Sequence, residues 1–431
     1  MKLSARLAPA LLAALVLTAC APQPSSNSAS GEDDKSGTVR VWLFQEVGNQ
    51  PKEKVVGDVT AAFEKAHDGV RVDVEYIPVE TRAQRVKAAF NDPKSAPDVM
   101  EFGNTDTAGY VHDGGLLDIT DEFGAWKEAK DTDPTARQSV TVAGKVYGAP
   151  FYVGVRALYY RTDVFRELGL QVPKTMGELA SAARAIRAAK PDLYGLAVGG
   201  AYTYGAMPFV WANGGELATG KDGSYASAID SPAAQKGIKA YTSLFSDDNC
   251  PAAKCAGMTG NDTVSAFAAG KAGMIIGGDF SHAAVEAGKA KGRYAVVPLP
   301  GLTPGSIAPA FAGGNNIGVL KSTKHRTLAV DLMERLASKQ TQSSMFDAMG
   351  FLPTFTDVRE KAAAEQPFVK PFVQTLSAGT KFVPASPAWS QIDSSLILPT
   401  MLQEVISGKE KVAEASKDAA TKMNDAFGTA G

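Results

Sequence analysis

The sequence predicts an α/β protein made of two lobes, and three observations support this prediction. The chain has 431 residues, more than a single hydrophobic core usually holds. Strand and helix signals alternate in both halves, as in sheets covered by helices. Between the halves, residues 144–170 carry two strand signals with no compact turn between them. We therefore expect this segment to pass from one sheet into another and to connect the lobes.

The composition is that of a soluble globular protein. Apolar residues make up 45% and charged residues 21% of the chain. The formal net charge is −2, and it becomes −4 when Lys2 and Arg6 of the first segment are removed. This balance gives no reason to expect a nucleic acid as a partner.

Residues 1–19 are predicted to be a lipoprotein signal peptide. Lys2 and Arg6 precede an apolar run over residues 7–17, which is shorter than the roughly 20 residues that span a membrane. The run ends in Leu-Thr-Ala-Cys, which resembles a bacterial lipobox. That resemblance implies cleavage before Cys20, its acylation, and anchoring at the extracellular face of the cell membrane (the periplasmic side where an outer membrane exists). The alternative is an ordinary signal peptide with a chance cysteine.

Residues 20–37 are predicted to be a disordered tether. The stretch APQPSSNSASGEDDKSG is rich in Pro, Ser, Gly and Asp and has nothing to bury. A random coil of this length reaches roughly 24 Å. The tether would hold a folded domain close to the membrane, so a working partner is expected in that membrane.

The first part of the chain is predicted to fold as strands alternating with helices. Strand patterns cover residues 38–44, 70–77 and 97–102, and helical patterns cover residues 54–67, 81–90 and 110–117. This βαβαβ order implies a parallel sheet. Because ligands bind beyond the carboxyl ends of such strands, we expect residues 45–47 and 103–106 to face a binding site.

The rest of the chain continues the α/β pattern. Strands are predicted at residues 156–160, 194–198, 271–276, 294–298 and 317–320. Helices are predicted from residue 162 to Gly169 and at residues 175–189, 205–212, 231–245, 261–269, 326–338, 341–349, 366–378 and 389–427. Thr175 is the expected N-cap of its helix, with Glu178 three residues later as in a capping box.

Cys250 and Cys255 lie close together in the polar loop DNCPAAKC. In an exported protein such a pair is expected to form a disulfide, which stabilises a short loop by roughly 2 kcal/mol. A metal site would need more ligands, and of the histidines only His282 is near in sequence. The disulfide is therefore the favoured interpretation.

Five stretches of the sequence, in order, resemble one known family. They are VWLFQE; APDVMEFGNTDTAGYVHDGGLLDIT; GKVYGAPFYVGVRALYYRTDVF; AFAAGKAGMIIGGDF; and PAWSQIDSSLILPTMLQEVISGKEKVAEA. Behind a lipobox and a tether, this set resembles the family 1 extracellular solute-binding proteins, the lipoprotein receptors of ABC sugar importers. Maltose-binding protein is a distant relative. The EFGNTDTAGY block most resembles actinobacterial members that bind chitooligosaccharides such as diacetylchitobiose.

The resemblance covers residues 38 to about 425 and implies a periplasmic-binding-protein fold of type II, with hinged lobes and a ligand cleft between them. It places residues 38–153 and 299–347 in the first lobe, and residues 154–298 and 348–431 in the second. It implies an oligosaccharide ligand and delivery to permease subunits in the membrane. It also implies a monomer without cofactor, metal or enzymatic activity.

Sugars need aromatic faces for stacking and planar polar groups for their hydroxyls. Trp389 stands at a helix start where the family often places a stacking aromatic, and its alternative role is core packing. Asn104, Thr105 and Asp106 follow a buried strand and suit hydroxyls, although one of them would also serve as a helix cap. Glu46, beyond the first strand, is either a ligand contact or a solvated loop acid.

Six further positions are candidates for ligand contact: Tyr152, Arg156, Tyr204, Asp279, Phe280 and Asn315. The glycines before Asp279 would let a ligand approach the backbone, and maltose-binding relatives carry tryptophan where Phe280 stands. Arg156 either binds ligand or holds the hinge through a carboxylate. Trp42 and Trp211 are expected in strand and core packing.

Two kinds of rival function stay open at this point. A lipid-anchored glycoside hydrolase would need two carboxylates at a fixed separation, and Glu46, Asp106 and Asp279 are available without a pairing signal. Within binding proteins, iron receptors use clustered tyrosines and polyamine receptors use aromatics with several acids. The pair Tyr159 and Tyr160 lies in an alternating strand, where one member would be buried. The mixed set of Trp, Asn, Asp and Glu fits an oligosaccharide better.

Overall fold

The computed structural model describes residues 33–46, 48–78, 81–221 and 224–429. The predicted signal peptide, Cys20 and residues 20–32 of the predicted tether lie outside the described residues. Two lobes are present, each built around its own β-sheet with helices on its faces, which confirms the predicted two-lobed α/β class. Within these ranges no helix is long and apolar enough to cross a membrane.

From the start of the fold to the first connection between the lobes, the elements are β1 (Gly37–Phe44), α1 (Gln50–Ala66), β2 (Val70–Ile77), α2 (Arg82–Asn91), β3 (Val99–Gly103), α3 (Thr107–His112), α4 (Thr120–Ala125), α5 (Pro134–Gln138), β4 (Thr141–Val142), β5 (Lys145–Val146) and β6 (Ala149–Gly154).

The next elements are β7 (Arg156–Arg161), α6 (Thr162–Glu167), α7 (Met176–Ala189), β8 (Tyr194–Ala197), α8 (Thr203–Ala212), β9 (Ala218–Lys221), β10 (Ser224–Ser227), α9 (Pro232–Thr242), α10 (Ala252–Cys255), α11 (Gly260–Ala268), β11 (Ala272–Gly278), α12 (His282–Glu286) and β12 (Tyr294–Val297). The last part contains β13 (Ala310–Phe311), β14 (Gly313–Val319), α13 (Arg326–Ala337), α14 (Lys339–Met349), α15 (Thr356–Glu365), α16 (Lys370–Ala378), β15 (Thr380–Lys381), α17 (Ala388–Ser394), α18 (Ile397–Ile406) and α19 (Val412–Thr429).

The first sheet has the strand order β2-β1-β3-β14-β6. β2, β1 and β3 run parallel, whereas β14 is antiparallel to both β3 and β6. Val41 of β1 pairs with Val74 of β2 and Val99 of β3, as expected for strands covered on both faces. The carboxyl ends of the three parallel strands therefore open at one edge of the sheet.

The second sheet has the strand order β12-β7-β11-β8. β7 is antiparallel to β11 and β12, and β8 is parallel to β11. β11 is buried along its whole length. The core of this lobe also contains Cys250 and Cys255, which form a disulfide.

The first of three passages between the lobes lies at Val155. The chain leaves β6 in the first sheet there and enters β7 in the second. The segment over residues 144–170 thus crosses between sheets as the sequence predicts.

The other two passages differ from the predicted lobe boundaries. Leu299, Ala308 and Phe311 are buried in the core of the second lobe, so the second passage lies at Ala312 instead of near residue 298. Residues 299–311 stay with the second lobe because their apolar side chains are buried in its core. The third passage follows α14 at Gly350, whose φ of 81° is the left-handed conformation that favours glycine.

Two predicted helical stretches are refined by the structure. The Thr175 side chain accepts the Glu178 N–H at 3.1 Å and caps α7, whereas the Glu178 carboxylate reaches the N–H of Lys174 at 2.7 Å instead of that of Thr175. Residues 389–427 form three helices instead of one, and Leu396, with a φ of 55°, separates the first two.

The segment before β1 is attached to the first lobe. The Asp34 N–H donates to the Lys324 carbonyl at 2.8 Å, and the Asp33 carboxylate accepts the Thr327 N–H at 3.1 Å, at the start of α13. Asp33 and Asp34 therefore lie against the fold and do not share the disorder predicted for residues 20–37.

Asp279 ties two passages together. It is fully buried after β11, and its two carboxylate oxygens accept the N–H groups of Val155 at 2.8 Å and Leu352 at 3.3 Å. Burial raises the pKa of this carboxyl to about 7, against the opposing effect of the backbone hydrogen bonds. The first and third passages are held side by side through this one side chain.

We expect Asp279→Ala to lower the free energy of unfolding substantially. The substitution leaves the N–H groups of Val155 and Leu352 buried without an acceptor, and each such group costs about 1–3 kcal/mol. Urea unfolding would measure the change. Asp73→Ala, at an exposed position of β2, is the matched control and should change stability by less than about 0.5 kcal/mol. Equal small changes in both variants would contradict the role assigned to Asp279.

Candidate functional site

A cleft of about 1110 Å³ lies between the two lobes. Nine of the eleven residues predicted to contact ligand line it, and they come from both lobes: Glu46, Asn104, Thr105, Asp106, Tyr152, Arg156, Tyr204, Phe280 and Asn315. The parallel strand ends predicted to face a site, after β1 and β3, form part of its wall. Ligand contact by each residue stays a prediction.

A buried ion pair lies beneath the floor of the cleft. Lys52 of α1 and Glu101 of β3 are both fully buried, with the ammonium nitrogen 2.9 Å from a carboxylate oxygen. Lys52 also donates to the Phe44 carbonyl at 2.8 Å, and Glu101 accepts the Phe44 N–H at 2.8 Å. These hydrogen bonds offset the desolvation of the two charges, which would otherwise destabilise the fold.

The ion pair orients two groups that face the cleft. The Asn315 amide nitrogen donates to the second Glu101 oxygen and to the Tyr152 hydroxyl, both at 2.6 Å. The Asn315 carbonyl oxygen is therefore left as an acceptor, and the Tyr152 hydroxyl keeps its own proton as a donor. The Tyr152 ring is stacked on Phe351 with centroids 4.4 Å apart, which holds the hydroxyl in place.

The lobes touch at one edge of the cleft, where α3 meets α17. The Ser390 hydroxyl donates to the Asp106 carboxylate at 3.1 Å. Gly109 permits this approach, because a Cβ atom there would lie 2.9 Å from the Ser390 hydroxyl oxygen and 3.4 Å from the Pro387 carbonyl oxygen. The structure is therefore closed at this edge.

Acidic side chains from both lobes face each other beside this contact. Burial and the nearby Asp393 carboxylate raise the pKa of Asp106 to about 6. Burial also raises the pKa of Asp393, and the nearby Tyr204 hydroxyl opposes this shift. Arg82 lies close enough to oppose the shift of Asp106, and the Tyr110 hydroxyl faces the same carboxylate.

Glu46 is a half-buried acid of the first lobe. Its carboxylate lies 3.9 Å from the Lys52 ammonium group, and its N–H donates to the Asn49 side chain at 3.0 Å. Burial raises its pKa, against the attraction of Lys52. Glu46 is thus held in place by the fold and is not a solvated loop acid.

Arg156 lies among aromatic rings on the second lobe. Its Nε donates to the Tyr202 hydroxyl at 2.7 Å, and its guanidinium carbon lies 5.1–5.5 Å from the rings of Tyr202, Tyr204 and Phe280. The alternative role of Arg156, holding the hinge through a carboxylate, is not supported, since no carboxylate lies within 4 Å of Arg156 in the described ranges. The Tyr204 ring is stacked on Phe311 with centroids 4.7 Å apart.

Two predicted ligand contacts are wrong for this structure. Asp279 is turned inward, because the N–H groups of the passages need a buried acceptor. Trp389 is fully buried in the core of the second lobe, because it shares the inner face of α17 with Ile392. Ser390 and Asp393, on the other face of α17, line the cleft instead.

Among the charged residues of the cleft that sequence reasoning missed, Arg82 and Asp393 had a signal in the sequence. Arg82 follows the carboxyl end of β2, which lies next to the carboxyl end of β1. Because ligands bind beyond the carboxyl ends of parallel strands, Arg82 could have been predicted to face the site. Asp393 lies three residues after Ser390, on the same polar face of α17. Tyr202, the partner of Arg156, had no clear signal, since its hydroxyl is turned inward to the Ile276 carbonyl at 3.2 Å.

The features expected of metal-binding receptors receive no support from the described residues. In residues 33–46, 48–78, 81–221 and 224–429, no group of three or more His, Cys, Asp or Glu is arranged to hold a metal ion. Tyr159 is fully buried and donates to the Gly278 carbonyl at 2.7 Å, and the Tyr160 ring packs on Phe165. The tyrosine pair therefore does not face the cleft.

Comparison with known proteins identifies relatives along most of the chain. Residues 48–343 match the family model described as bacterial extracellular solute-binding protein. The diacetylchitobiose binding protein DasA of Streptomyces coelicolor is 26% identical over 405 residues, which cover 92% of this chain and 91% of that protein. A maltooligosaccharide ABC transporter solute-binding lipoprotein of Streptococcus pneumoniae is 25% identical over 439 residues, which cover 99% of this chain and 97% of that protein.

The fold is also similar to solved structures. An ABC transporter solute-binding protein from Thermotoga lettingae, bound with α-D-tagatose, has a TM-score of 0.81 and 27% sequence identity. The similarity covers 91% of this chain and 100% of that chain.

Lowering the pH from about 8 to about 5 is expected to favour the closed arrangement of the ligand-free protein. In the closed arrangement, burial and the nearby Asp393 carboxylate raise the pKa of Asp106 from the ordinary value of 3.8 to about 6. Closure is therefore accompanied by uptake of a proton when the pH lies between these two pKa values. The closed form is favoured below pH 6 and loses this advantage as the pH rises. Small-angle X-ray scattering should give a smaller radius of gyration at pH 5.

The matched control is the double variant Asp106→Asn, Asp393→Asn, whose radius of gyration should not depend on pH in this range. A larger radius at pH 5 than at pH 8 for the unmodified protein would show that the two carboxyls do not oppose closure.

Proposed function

The chain belongs to the bacterial extracellular solute-binding protein family, and from this premise we propose that it is the substrate-binding component of an ABC transporter for a sugar. The observation that carries the proposal is the cleft, which presents polar groups and aromatic faces from two separate lobes. Relatives in this family are named for diacetylchitobiose and maltooligosaccharides. The ligand is an oligosaccharide, and a chitooligosaccharide is the first candidate to test.

The groups in the cleft suit sugar hydroxyls. The Asn315 carbonyl and the carboxylates of Glu46 and Asp106 accept hydrogen bonds, and the Tyr152 hydroxyl donates one. A volume of about 1110 Å³ exceeds the range of roughly 300–1,000 Å³ of sites for drug-sized ligands, which supports a ligand of more than one sugar unit. Asn104, Thr105, Tyr204 and Phe280 complete the proposed contacts.

Binding works through closure of the lobes. A ligand that touches both walls of the cleft gains its full set of contacts only in the closed form, so it shifts the population toward that form. The contact between α3 and α17 is the place where closure brings the lobes together directly. Permease subunits in the membrane would recognise the closed form and reopen it.

The protein acts as a binding protein and not as a glycoside hydrolase. Two carboxylates of the cleft have polar neighbours, since Asp106 is bonded to Ser390 and Asp393 lies near the Tyr204 hydroxyl. The family and the relatives are named for binding. Receptors for iron or a polyamine are the alternatives that a ligand screen would reveal.

Anchoring and assembly follow from the same proposal. Cys20 carries the lipid, and the protein works as a monomer at the extracellular face of the membrane. One relative is named a lipoprotein, which supports this placement.

Isothermal calorimetry with chitooligosaccharides, maltooligosaccharides and galactooligosaccharides should identify a ligand bound in a one-to-one complex. We expect a Kd in the micromolar range or tighter, which corresponds to a binding free energy on the order of −8 kcal/mol. Tyr204→Ala should weaken binding about tenfold, because the stacked ring in the cleft is lost.

Tyr225→Ala is the control for this variant, since Tyr225 packs on Phe427 in the second lobe and does not line the cleft. Heat from iron or a polyamine alone would contradict sugar binding. Release of shorter sugars during the titration would assign the protein to the hydrolases.

Cys20→Ala is expected to abolish labelling by palmitate and partitioning into detergent, because the acylated thiol is removed. Metabolic labelling of cells producing the full chain would measure both. The double variant Cys250→Ala, Cys255→Ala serves as the control and should keep the label. Unchanged labelling of Cys20→Ala would disprove the lipid anchor and leave the sugar-binding proposal intact.

A further inference from the structure

We infer that the sugar carries a carboxylate, which is bound by Arg82 of the first lobe and Arg156 of the second. The inference rests on the proposed function, but in place of the chitooligosaccharide that is tested first there it names acidic oligosaccharides that contain a hexuronate unit. Both arginines line the cleft between the lobes.

Arg156 has donors left over after its contacts within the protein. Among the described residues only its Nε is engaged, by the neutral hydroxyl of Tyr202 at 2.7 Å. Three aromatic rings surround the guanidinium group and fix its plane without neutralising it. Its terminal nitrogens therefore remain available on the side of the cleft.

Arg82 donates no hydrogen bond to any of the described residues, although its charge acts on the carboxyls of Glu46 and Asp106. It is the first residue of α2, and its guanidinium carbon lies 3.1 Å from the centre of the Phe44 ring. Its Nε is buried and has no hydrogen-bond partner in the described part of the chain. Since a buried donor without an acceptor is unfavourable, a ligand oxygen at this place would remove a cost that the free protein bears.

These two arginines differ from the others in the fold. Every other partly or fully buried arginine in the described ranges donates to a carboxylate or a backbone carbonyl. Arg85, one turn after Arg82 on α2, forms a bidentate ion pair with Glu75. The absence of such an acceptor is therefore specific to the cleft.

The carboxylates of the cleft do not take the place of this acceptor. The charge of Arg82 acts on Glu46 and Asp106 without a hydrogen bond to either among the described residues. The Glu46 carboxylate lies 3.9 Å from Lys52, Asp106 is bonded to Ser390, and Asp393 lies near the Tyr204 hydroxyl. Their raised pKa values reflect burial that weakens their charged forms. They suit the hydroxyls of a sugar, which can donate to them.

A uronate matches both the acids and the two arginines of the cleft. The planar fork of a guanidinium group binds a carboxylate through two parallel hydrogen bonds, and such charge-assisted bonds are stronger than those to a neutral hydroxyl. A sugar supplies the hydroxyls for the acids of the cleft and a C6 carboxylate for the arginines. Because the arginines belong to different lobes, an anionic group between them would also favour closure.

The test compares matched pairs of trisaccharides by calorimetry on the full folded chain. The probes are cellotriose, maltotriose and galactotriose, each beside the same chain oxidised at C6 to uronates. The oxidised form of the preferred sugar should bind at least about tenfold tighter than its neutral twin, as expected for one charge-assisted contact. This advantage should shrink as sodium chloride is raised, because salt screens the ion pair.

Arg82→Gln and Arg156→Gln should each lower the ratio of the affinity for the oxidised sugar to the affinity for its neutral twin towards one, and this ratio is the readout because both residues line the cleft. Arg82→Lys keeps the charge and should retain part of the advantage of the oxidised sugar. Arg85→Gln is the matched control on the same helix and should leave both affinities unchanged, since Arg85 does not line the cleft. Thermal unfolding of each variant checks that the fold is intact.

Equal binding of the neutral and oxidised forms, or an advantage that survives in both glutamine variants, would overturn the inference while sugar binding stands. Binding of citrate in place of any sugar would overturn the saccharide part of it. Failure of every saccharide, neutral or acidic, would overturn the proposed function, and the inference with it.

Discussion

The arrangement of the two lobes depends on one buried carboxylate. Asp279 accepts the N–H groups of Val155 and Leu352, and so it joins two of the three strands of chain that connect the lobes. The passages cannot separate without exposing these groups in a buried environment. Movement between the lobes is therefore limited to torsional changes within the passages, with Gly350 at the start of one of them. The cleft lies in front of this joint, so a rotation about the joint changes the width of the cleft most at the edge farthest from it.

Buried charged groups also determine the floor of the cleft, because they fix which neighbouring polar groups donate hydrogen bonds and which accept them. Lys52 and Glu101 form an ion pair that water does not reach, and Asn315 transmits its orientation to Tyr152. The floor offers one acceptor and one donor whose roles are set before any ligand arrives. Such preorganisation reduces the entropy lost when a ligand binds.

Much of the fold was predictable because it depends on periodicity. The alternation of strands and helices predicted the first sheet, and the two strand signals around Val155 predicted the passage between sheets. The second passage was misplaced by more than ten residues. Leu299 and Phe311 are buried in the core of the second lobe, but the sequence shows only that they are apolar and not which lobe buries them. Strand ends located Asn104 and Glu46 at the cleft, whereas Trp389 and Asp279 were misassigned. Both residue types suit a ligand. The Trp389 side chain is buried because of its position on the inner face of α17, and the Asp279 side chain is buried because two backbone N–H groups need an acceptor.

The attachment of Asp33 and Asp34 to the start of α13 determines how mechanical load enters the molecule. A pull on the preceding segment reaches Thr327 and Lys324 in the first lobe and is carried by that lobe alone. None of the three passages lies on this path, so tension does not strain the joint. A surface to which the chain were tied through that segment would therefore hold the first lobe directly and the second lobe only through the three passages.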